Sequence, residues 1–386
     1  MLVKQEIAMV KMVEERTPAE VFPPGEFIRE EIEARRWSQV EFAEILGRPP
    51  RLVSELIAGK RAVTPETAKG LAAAFGTSAQ LWLNLESSYQ LSKLKHDESD
   101  EISRRARLYE SAPVKDLVRR KWIEPSENLD VLEKRVRDFL SAEDVPHAAR
   151  KSTPYSEIES PALRAWLLRA RQLSHAVSAA SFSSSALDRL IEQLHNLLQS
   201  AEEVRHVPRL LAEAGIRFVV VEPLPQTRVD GATLWLADNS PAIALSLRSD
   251  RIDWFWFTLM HELAHVKFGD GKDRVLLDVD LMGESDQAKP TKPDFEVRAD
   301  AFAADFLVSP ADLRDFVARV RPLFSRQRIR AFAARVGVHP GIVVGQLHHS
   351  GAISYAHSRE LLEKVRGTIT ESALTDGWGS MLPVAV

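Results

Sequence analysis

From residue 26 to about residue 91, apolar positions recur at the three-to-four-residue spacing of amphipathic helices, separated by short polar breaks. The pattern predicts five short helices, over Phe27–Arg35, Ser38–Leu46, Leu52–Ala58, Pro65–Phe75 and Ala79–Leu91. Two of their starts are signalled chemically. Ser38 with Glu41 three residues on is a capping box, and Thr64 before Pro65 offers an N-cap with proline at the first helical position. Beyond Lys93 a highly charged helical stretch runs to about Arg150, followed by the break Ser152–Pro154, a helix near Pro161 to Arg171 and the serine run Ser181–Ser185. At Val207 the period changes. Gly215–Val221, Ala232–Leu236 and Ala242–Leu247 are short β-like runs divided by Pro223, Pro225, Gly231 and Asp238–Pro241, which predicts a small antiparallel sheet. The apolar window Trp254–Phe268 reads as a buried helix, Val275–Val279 as a further strand, and the remainder as helices.

With 386 residues the chain has room for two or three domains, each with its own core. A net charge of −4 predicts no bulk attraction to nucleic acid, so any DNA contact needs a local basic patch. Cysteine is absent, which excludes disulfides and thiolate metal sites and leaves histidines and carboxylates as the strong ligands. That fits a cytoplasmic protein. The segment Met1–Glu30 offers no apolar signal-peptide core, and the window Trp254–Phe268 is broken by His261, Glu262, His265 and Lys267, so no membrane span is expected.

The chemistry concentrates in Phe257-Thr-Leu-Met-His261-Glu262-Leu-Ala-His265. Residues i and i+4 share a helix face, so two imidazoles can converge on one zinc ion while Glu262 reaches a water as general base. A catalytic zinc usually takes a third protein ligand, and Glu296 is the best candidate. Phe295, Ala299, Phe302, Ala303 and Phe306 recur at helical spacing, placing Glu296 and Asp300 on a neighbouring face. Asp300 could then accept the free ring N–H of a ligating histidine. Asp278, Asp280 and Glu284 are rival third ligands, and Lys292 or Arg298 could instead claim Glu296 and Asp300 as surface ion pairs. Manganese or iron would suit the same donors.

His261-Glu-Leu-Ala-His265, followed by Glu296-x-x-Ala-Asp-x-Phe-Ala-Ala-x-x-Leu-x-x-Pro310, resembles the ImmA/IrrE metallo-endopeptidases over roughly residues 207 to 350. The resemblance implies a gluzincin-like zinc site with ligands His261, His265 and Glu296, a general base at Glu262, and a substrate that is typically a repressor protein. His348 and His349 invite an oxyanion-stabilising role, but a histidine pair near a helix end reads more simply as structural.

Upstream, Trp37-Ser-Gln-Val-Glu-Phe-Ala-Glu-Ile-Leu-Gly47, Ala58-Gly-Lys-Arg-Ala-Val-Thr-Pro-Glu-Thr-Ala68 and Ala74-Phe-Gly-Thr-Ser-Ala-Gln-Leu-Trp-Leu-Asn-Leu85 resemble the HigA-type branch of the Xre helix-turn-helix family, over about residues 24 to 91. The resemblance implies a first motif helix at Gln39–Leu46, a turn at Gly47 and a recognition helix at Arg51–Ala58. It also implies DNA contacts from Gln39, Arg48, Arg51, Ser54, Lys60 and Arg61. Nine basic residues between Pro23 and Lys93 are matched by nine acidic ones, and Pro49-Pro50 stands where small polar residues are usual, so reuse of the fold for protein contacts such as dimerisation is the competing reading. Late in the chain Arg319, Arg321, Arg326, Arg328, Arg330 and Arg335 occur with no acidic residue between Arg319 and Arg335. Phe332–Gly337 and Pro340–Leu347 again resemble helix, turn, helix, which could grip nucleic acid or an acidic substrate, or be a solvated helix face.

The expectation is therefore an α+β, mostly helical chain. Its parts are a flexible leader (1–20), an all-α helix-turn-helix domain (21–93), a helical connector (94–205), a zincin-like metallopeptidase core with a small antiparallel sheet (206–318) and a C-terminal helical, helix-turn-helix-like region (319–386). The expected function is a cytoplasmic zinc-dependent endopeptidase with a DNA-binding module, cleaving a transcriptional repressor or related regulator. The alternative is a non-enzymatic HigA-like antitoxin or autorepressor whose metal domain senses or scaffolds. Operator DNA, a protein substrate, a toxin and a second copy of the chain are the candidate partners.

Overall fold

The structure, a computed structural model, describes residues 21–93, 96–141, 160–272, 276–279 and 292–377. The expected leader at 1–20, the break at Ser152–Pro154 and the rival ligands Asp280 and Glu284 lie outside the described residues, as does the side chain of Asp278. The chain divides into two units, Met1–Ser103 and Arg104–Val386.

In the first unit the five predicted helices are α1 (Pro24–Ala34), α2 (Gln39–Leu46), α3 (Pro50–Ile57), α4 (Pro65–Phe75) and α5 (Ala79–Lys93). The capping box forms: Glu41 N–H donates to Ser38 Oγ at 3.1 Å, and Ser38 N–H donates to Glu41 Oε2 at 2.7 Å. Gly47 then ends α2 at φ 63°, a conformation that disfavours any side chain. Phe42 and Phe75 stack with ring centroids 4.8 Å apart at the centre of the core, with Trp82 against Phe75 at 5.6 Å. Each such buried aromatic contributes roughly 1.5–3 kcal/mol.

The later helices are α6 (His96–Ser111), α7 (Val114–Arg119), α8 (Leu129–Ser141), α9 (Pro161–Ala176), α10 (Ser184–His195) and α11 (Val207–Glu213). The strands are β1 (Arg217–Val220), β2 (Val229–Trp235), β3 (Pro241–Leu245), β4 (Leu276–Val279) and β5 (Leu374–Thr375), in the order β4-β2-β3-β1-β5. The fold class is α+β and mostly helical as expected, but the sheet is mixed rather than wholly antiparallel. β2 runs antiparallel to β3 and β4, while β1 runs parallel to both β3 and β5. The physical reason is that both faces are covered, so the strands read as continuous apolar runs that carry no information on direction.

Along β1, Phe218 and Val220 face one core with Ile243 and Leu245 of β3. Val219, with Ala242 and Ala244, faces the other, where Trp166, Leu167 and Leu168 of α9 lie. Trp166 Nε1 donates to Val221 O at 2.8 Å, fixing α9 on that face. Helix α9, part of the expected connector, thus shares a core with the strands. Gly231, expected to divide strands, lies inside β2, and the two-residue β5 was too short to announce itself.

Helix α12 (Ile252–Phe268) packs on β2 and β3 and against α13 (Asp294–Leu307) and α16 (Pro340–His349). Between them run α14 (Pro310–Val320) and α15 (Arg326–Val336), and α17 (Arg366–Thr370) follows. The late helix-turn-helix-like pair exists as α15, Gly337 and α16. Its second helix, however, is buried from Gly341 to His348. A helix in that position cannot enter a DNA groove.

Candidate metal centre

Every residue of α12 from Ile252 to Val266 is buried, so its ligands project into protein on a rigid support. The i, i+4 spacing brings His261 and His265 together with Nε2 atoms 3.1 Å apart. Glu296, in the first turn of α13, places Oε2 3.1 Å from His261 Nε2 and 3.8 Å from His265 Nε2. The donor atoms of these three side chains all lie within 4.8 Å of one another.

The far side of each ring is held. His261 Nδ1 faces Asp300 Oδ1 at 2.9 Å, and His265 Nδ1 faces Asp270 Oδ2 at 3.3 Å. Lys292 Nζ donates to Asp300 Oδ2 at 2.5 Å, and Arg298 grips both oxygens of Asp270 at 2.8 and 2.9 Å. Of the two cations weighed as counter-charges for Glu296 and Asp300, Lys292 does pair with Asp300, whose other oxygen faces His261, while Arg298 acts one step further out through Asp270. Burial opposes ionisation of Asp300, but the hydrogen bonds from His261 and Lys292, with the charge of Lys292, outweigh it and hold its carboxyl below the ordinary value.

These contacts decide whether a metal ion suits the site. Carboxylates facing both Nδ1 atoms make those the protonated nitrogens, so both Nε2 atoms carry lone pairs. Two lone pairs and a carboxylate oxygen then converge with no proton among them, which is repulsive unless a cation lies between. With no sulfur donor, the set suits a divalent metal ion.

Glu262 is buried and turned toward β2. Thr233 Oγ1 donates to its Oε2 at 2.6 Å. Two residues earlier on the same face, a Cβ on Gly231 would stand 3.1 Å from the Cγ and Cδ of Glu262 and closer still to Oε1. Gly231, Thr233, Asp270 and the clamp from Arg298 were not foreseen in these roles. A glycine amid an apolar strand signals close backbone approach and could have pointed to the first. His348 is buried and its Nε2 lies 2.9 Å from His357 O, with burial pushing its pKa down, while the His349 ring lies tilted against Phe257 with centroids 6.0 Å apart.

In the first unit, Gln39, Arg48, Arg51, Ser54, Lys60 and Arg61 are all exposed on the α2-turn-α3 segment and its flank. Three of these cations are already engaged. Arg51 pairs with Glu55 at 2.7 Å, Arg61 with Glu55 at 3.5 Å and Arg48 with Glu66 at 2.5 Å. The hydrogen bond from Arg51, outweighing partial burial, holds the Glu55 carboxyl below its ordinary value.

Residues 28–82 match the helix-turn-helix family, and residues 212–348 match the IrrE N-terminal-like domain. The chain is 36% identical over 85 residues to the uncharacterized HTH-type transcriptional regulator YddM of Escherichia coli K12, which covers 22% of this chain and 88% of that protein. It is 35% identical over 75 residues to virulence-associated protein I of Dichelobacter nodosus, covering 19% of this chain and 69% of that one. A solved addiction module antidote protein of a HigA family, from Coxiella burnetii, is 31% identical with a TM-score of 0.20, covering 21% of this chain and 90% of its own. Among the described residues no helix is long and apolar enough to cross a membrane.

Proposed function

This chain belongs to the helix-turn-helix regulators through residues 28–82 and carries an IrrE N-terminal-like domain over residues 212–348, and on that premise we propose a cytoplasmic zinc-dependent endopeptidase that cuts a transcriptional repressor or related regulator. The observation that carries the reading is the convergence of His261, His265 and Glu296 beside a buried carboxylate on the same helix. His261, His265 and Glu296 would hold the ion, and manganese or iron would fit the same donors. When bound, such an ion supplies Lewis acidity and lowers the pKa of a water toward neutrality.

The remaining work belongs to the chain. Glu262 takes the proton from the attacking water and later passes it to the leaving amine. Thr233 and the space at Gly231 fix the carboxylate in one rotamer for that transfer. Asp300 and Asp270 keep both rings in the tautomer that leaves Nε2 free to ligate. The α2-turn-α3 segment would bring the enzyme to operator DNA through Gln39, Arg48, Arg51, Ser54, Lys60 and Arg61.

Glu262→Gln tests the reading. It keeps the ligand set, so the protein should retain bound metal while cleavage of regulators encoded beside it is lost; continued cleavage would sink the mechanism. A second reading is favoured by the similarity to the YddM regulator: a HigA-like autorepressor or antitoxin, with a toxin or a second copy as partner, whose metal group scaffolds. It predicts operator binding with no cleavage by the wild-type chain.

A further inference from the structure

Between Ser309 and Val338 seven arginines (314, 319, 321, 326, 328, 330 and 335) face two acids, Asp312 and Asp315, in a chain whose net charge is −4. No lysine occurs there, and arginine is the side chain whose planar fork matches phosphate oxygens. Four of the seven lie on α15, and all four are exposed.

Their placement round the helix is the informative part. Ile329, Phe332 and Ala333 are buried and fix the inner side. Taking Arg326 as the origin, at about 100° per residue, Arg330 falls at about 40° and Arg335 and Arg328 at about 180° and 200°. Gln327, Ala331 and Ala334, all exposed, fill the arc between, at about 80° to 140°. The outer face is therefore a strip without charge, flanked on each side by a row of arginines.

That arrangement distinguishes among anionic partners. An acidic peptide offers one line of charge and would be met by one row of cations. A duplex offers two phosphate strands with base edges between them, and a helix lying in its major groove needs cations on both flanks and small or uncharged side chains in the middle. The helix end agrees. The first turn of α15 contains no acidic residue and carries Arg326 and Arg328, although cations oppose the positive end of a helix dipole. An anion arriving at that end relieves the conflict. Arg326 pairs with Glu360 and Arg335 with Asp312, while Arg328 and Arg330 make no ion pair among the described residues.

We infer that the exposed face of α15 docks on duplex nucleic acid, through phosphate contacts from both arginine rows, as a surface separate from the α2-turn-α3 segment. It is the first helix of the late pair that meets the duplex, because the second is buried.

The test uses the full chain carrying Arg48→Ala, Arg51→Ala, Lys60→Ala and Arg61→Ala, so that the first unit no longer contributes phosphate contacts. The probe is a random-sequence duplex of about 30 base pairs, titrated at several salt concentrations. Residual binding is expected, and Arg328→Ala or Arg330→Ala should each reduce the log–log salt slope by about 0.9, with the double variant reducing it by about twice that. Alanine favours an exposed helix position, so an unchanged melting temperature should accompany the loss. Absence of residual duplex binding in the quadruple background overturns the inference, and so does an unchanged slope in the double variant. Loss of poly-glutamate binding with duplex binding intact overturns it as well, in favour of a protein-docking face. None of these outcomes bears on the metal site.

Discussion

Gly231 lies directly behind Glu262, so close that a methyl group on its Cα would press on the Cγ, Cδ and Oε1 of the carboxylate. Strand β2 is thus the back wall against which the acid is set, and its composition matters as much as the acid itself. Gly231→Ala should force Glu262 out of its rotamer, at a cost of about 1–3 kcal/mol from overpacking, while the metal ligands stay in place. Thermal unfolding and metal content measured on one preparation check this: a variant as stable as wild type, with full cleavage, would show that the contact is slack.

Removing a ligand acts differently. His261→Ala or Glu296→Ala should reduce bound metal to near zero. Wild-type protein treated with a chelator should likewise lose stability, because binding to the folded state alone stabilises it by mass action. Elemental analysis with melting curves before and after dialysis gives the comparison.

The clamp on His265 predicts a graded effect. Asp270→Asn removes the charge that faces Nδ1 and is held by Arg298, so metal affinity should fall about 10- to 100-fold with the ligands intact. Competition with a chelator of known affinity measures it. An unchanged affinity would mean that the ring is held by packing alone.

His348, which is not among the candidate ligands, sets a further pH dependence. Burial keeps it neutral in the folded protein, with its pKa below the ordinary 6.5. The unfolded chain therefore binds the extra proton first, and this contribution to stability is complete above about pH 6.5 and shrinks as pH falls below it, by at most roughly 1.4 kcal/mol per pH unit. Denaturant titrations at pH 7.5 and 5.5 should show a smaller difference for His348→Phe than for wild type.

Glu55 stands between Arg51 and Arg61 on the proposed DNA-facing surface. Its charge should weaken non-specific attraction to phosphates. Glu55→Gln is accordingly expected to bind random duplex more tightly at low salt, with a steeper salt dependence. Equal affinity for the two proteins in a salt titration would place Glu55 outside the contact surface.

Much of this was legible in the chain because local chemistry announced it. Ser38 with Glu41 and Thr64 with Pro65 fix helix starts through bonds within a few residues, and His261 with His265 is a pattern contained in one turn of helix. Glu296 and Asp300 could be placed because their helix also carries a periodic apolar stripe. Strand direction could not be read: β1 and β3 are buried on both faces, and nothing in Phe218-Val219-Val220 encodes which way a neighbour runs. Gly231, Thr233 and Asp270 were hidden for a related reason. Gly231 and Thr233 matter through contacts with α12 that sequence separation conceals, and Asp270, five residues past His265, through a turn beyond the helix end that the i, i+4 pattern does not reach. The late pair of helices shows the opposite failure, since α15 and α16 have the expected local form, and burial decides which of them can meet a partner.

The depth of α12 has a kinetic consequence. His261 and His265 are 0% exposed and Glu296 is 6% exposed, so an ion, like the polypeptide substrate proposed for the site, reaches these donors through a local opening of the protein rather than by diffusion to an open mouth. Exchange should follow the breathing of the α12–α13 contact and be slow beside the collision rate. Whichever divalent ion is captured as these helices close would then persist, making occupancy a record of the metal supply at the time of folding.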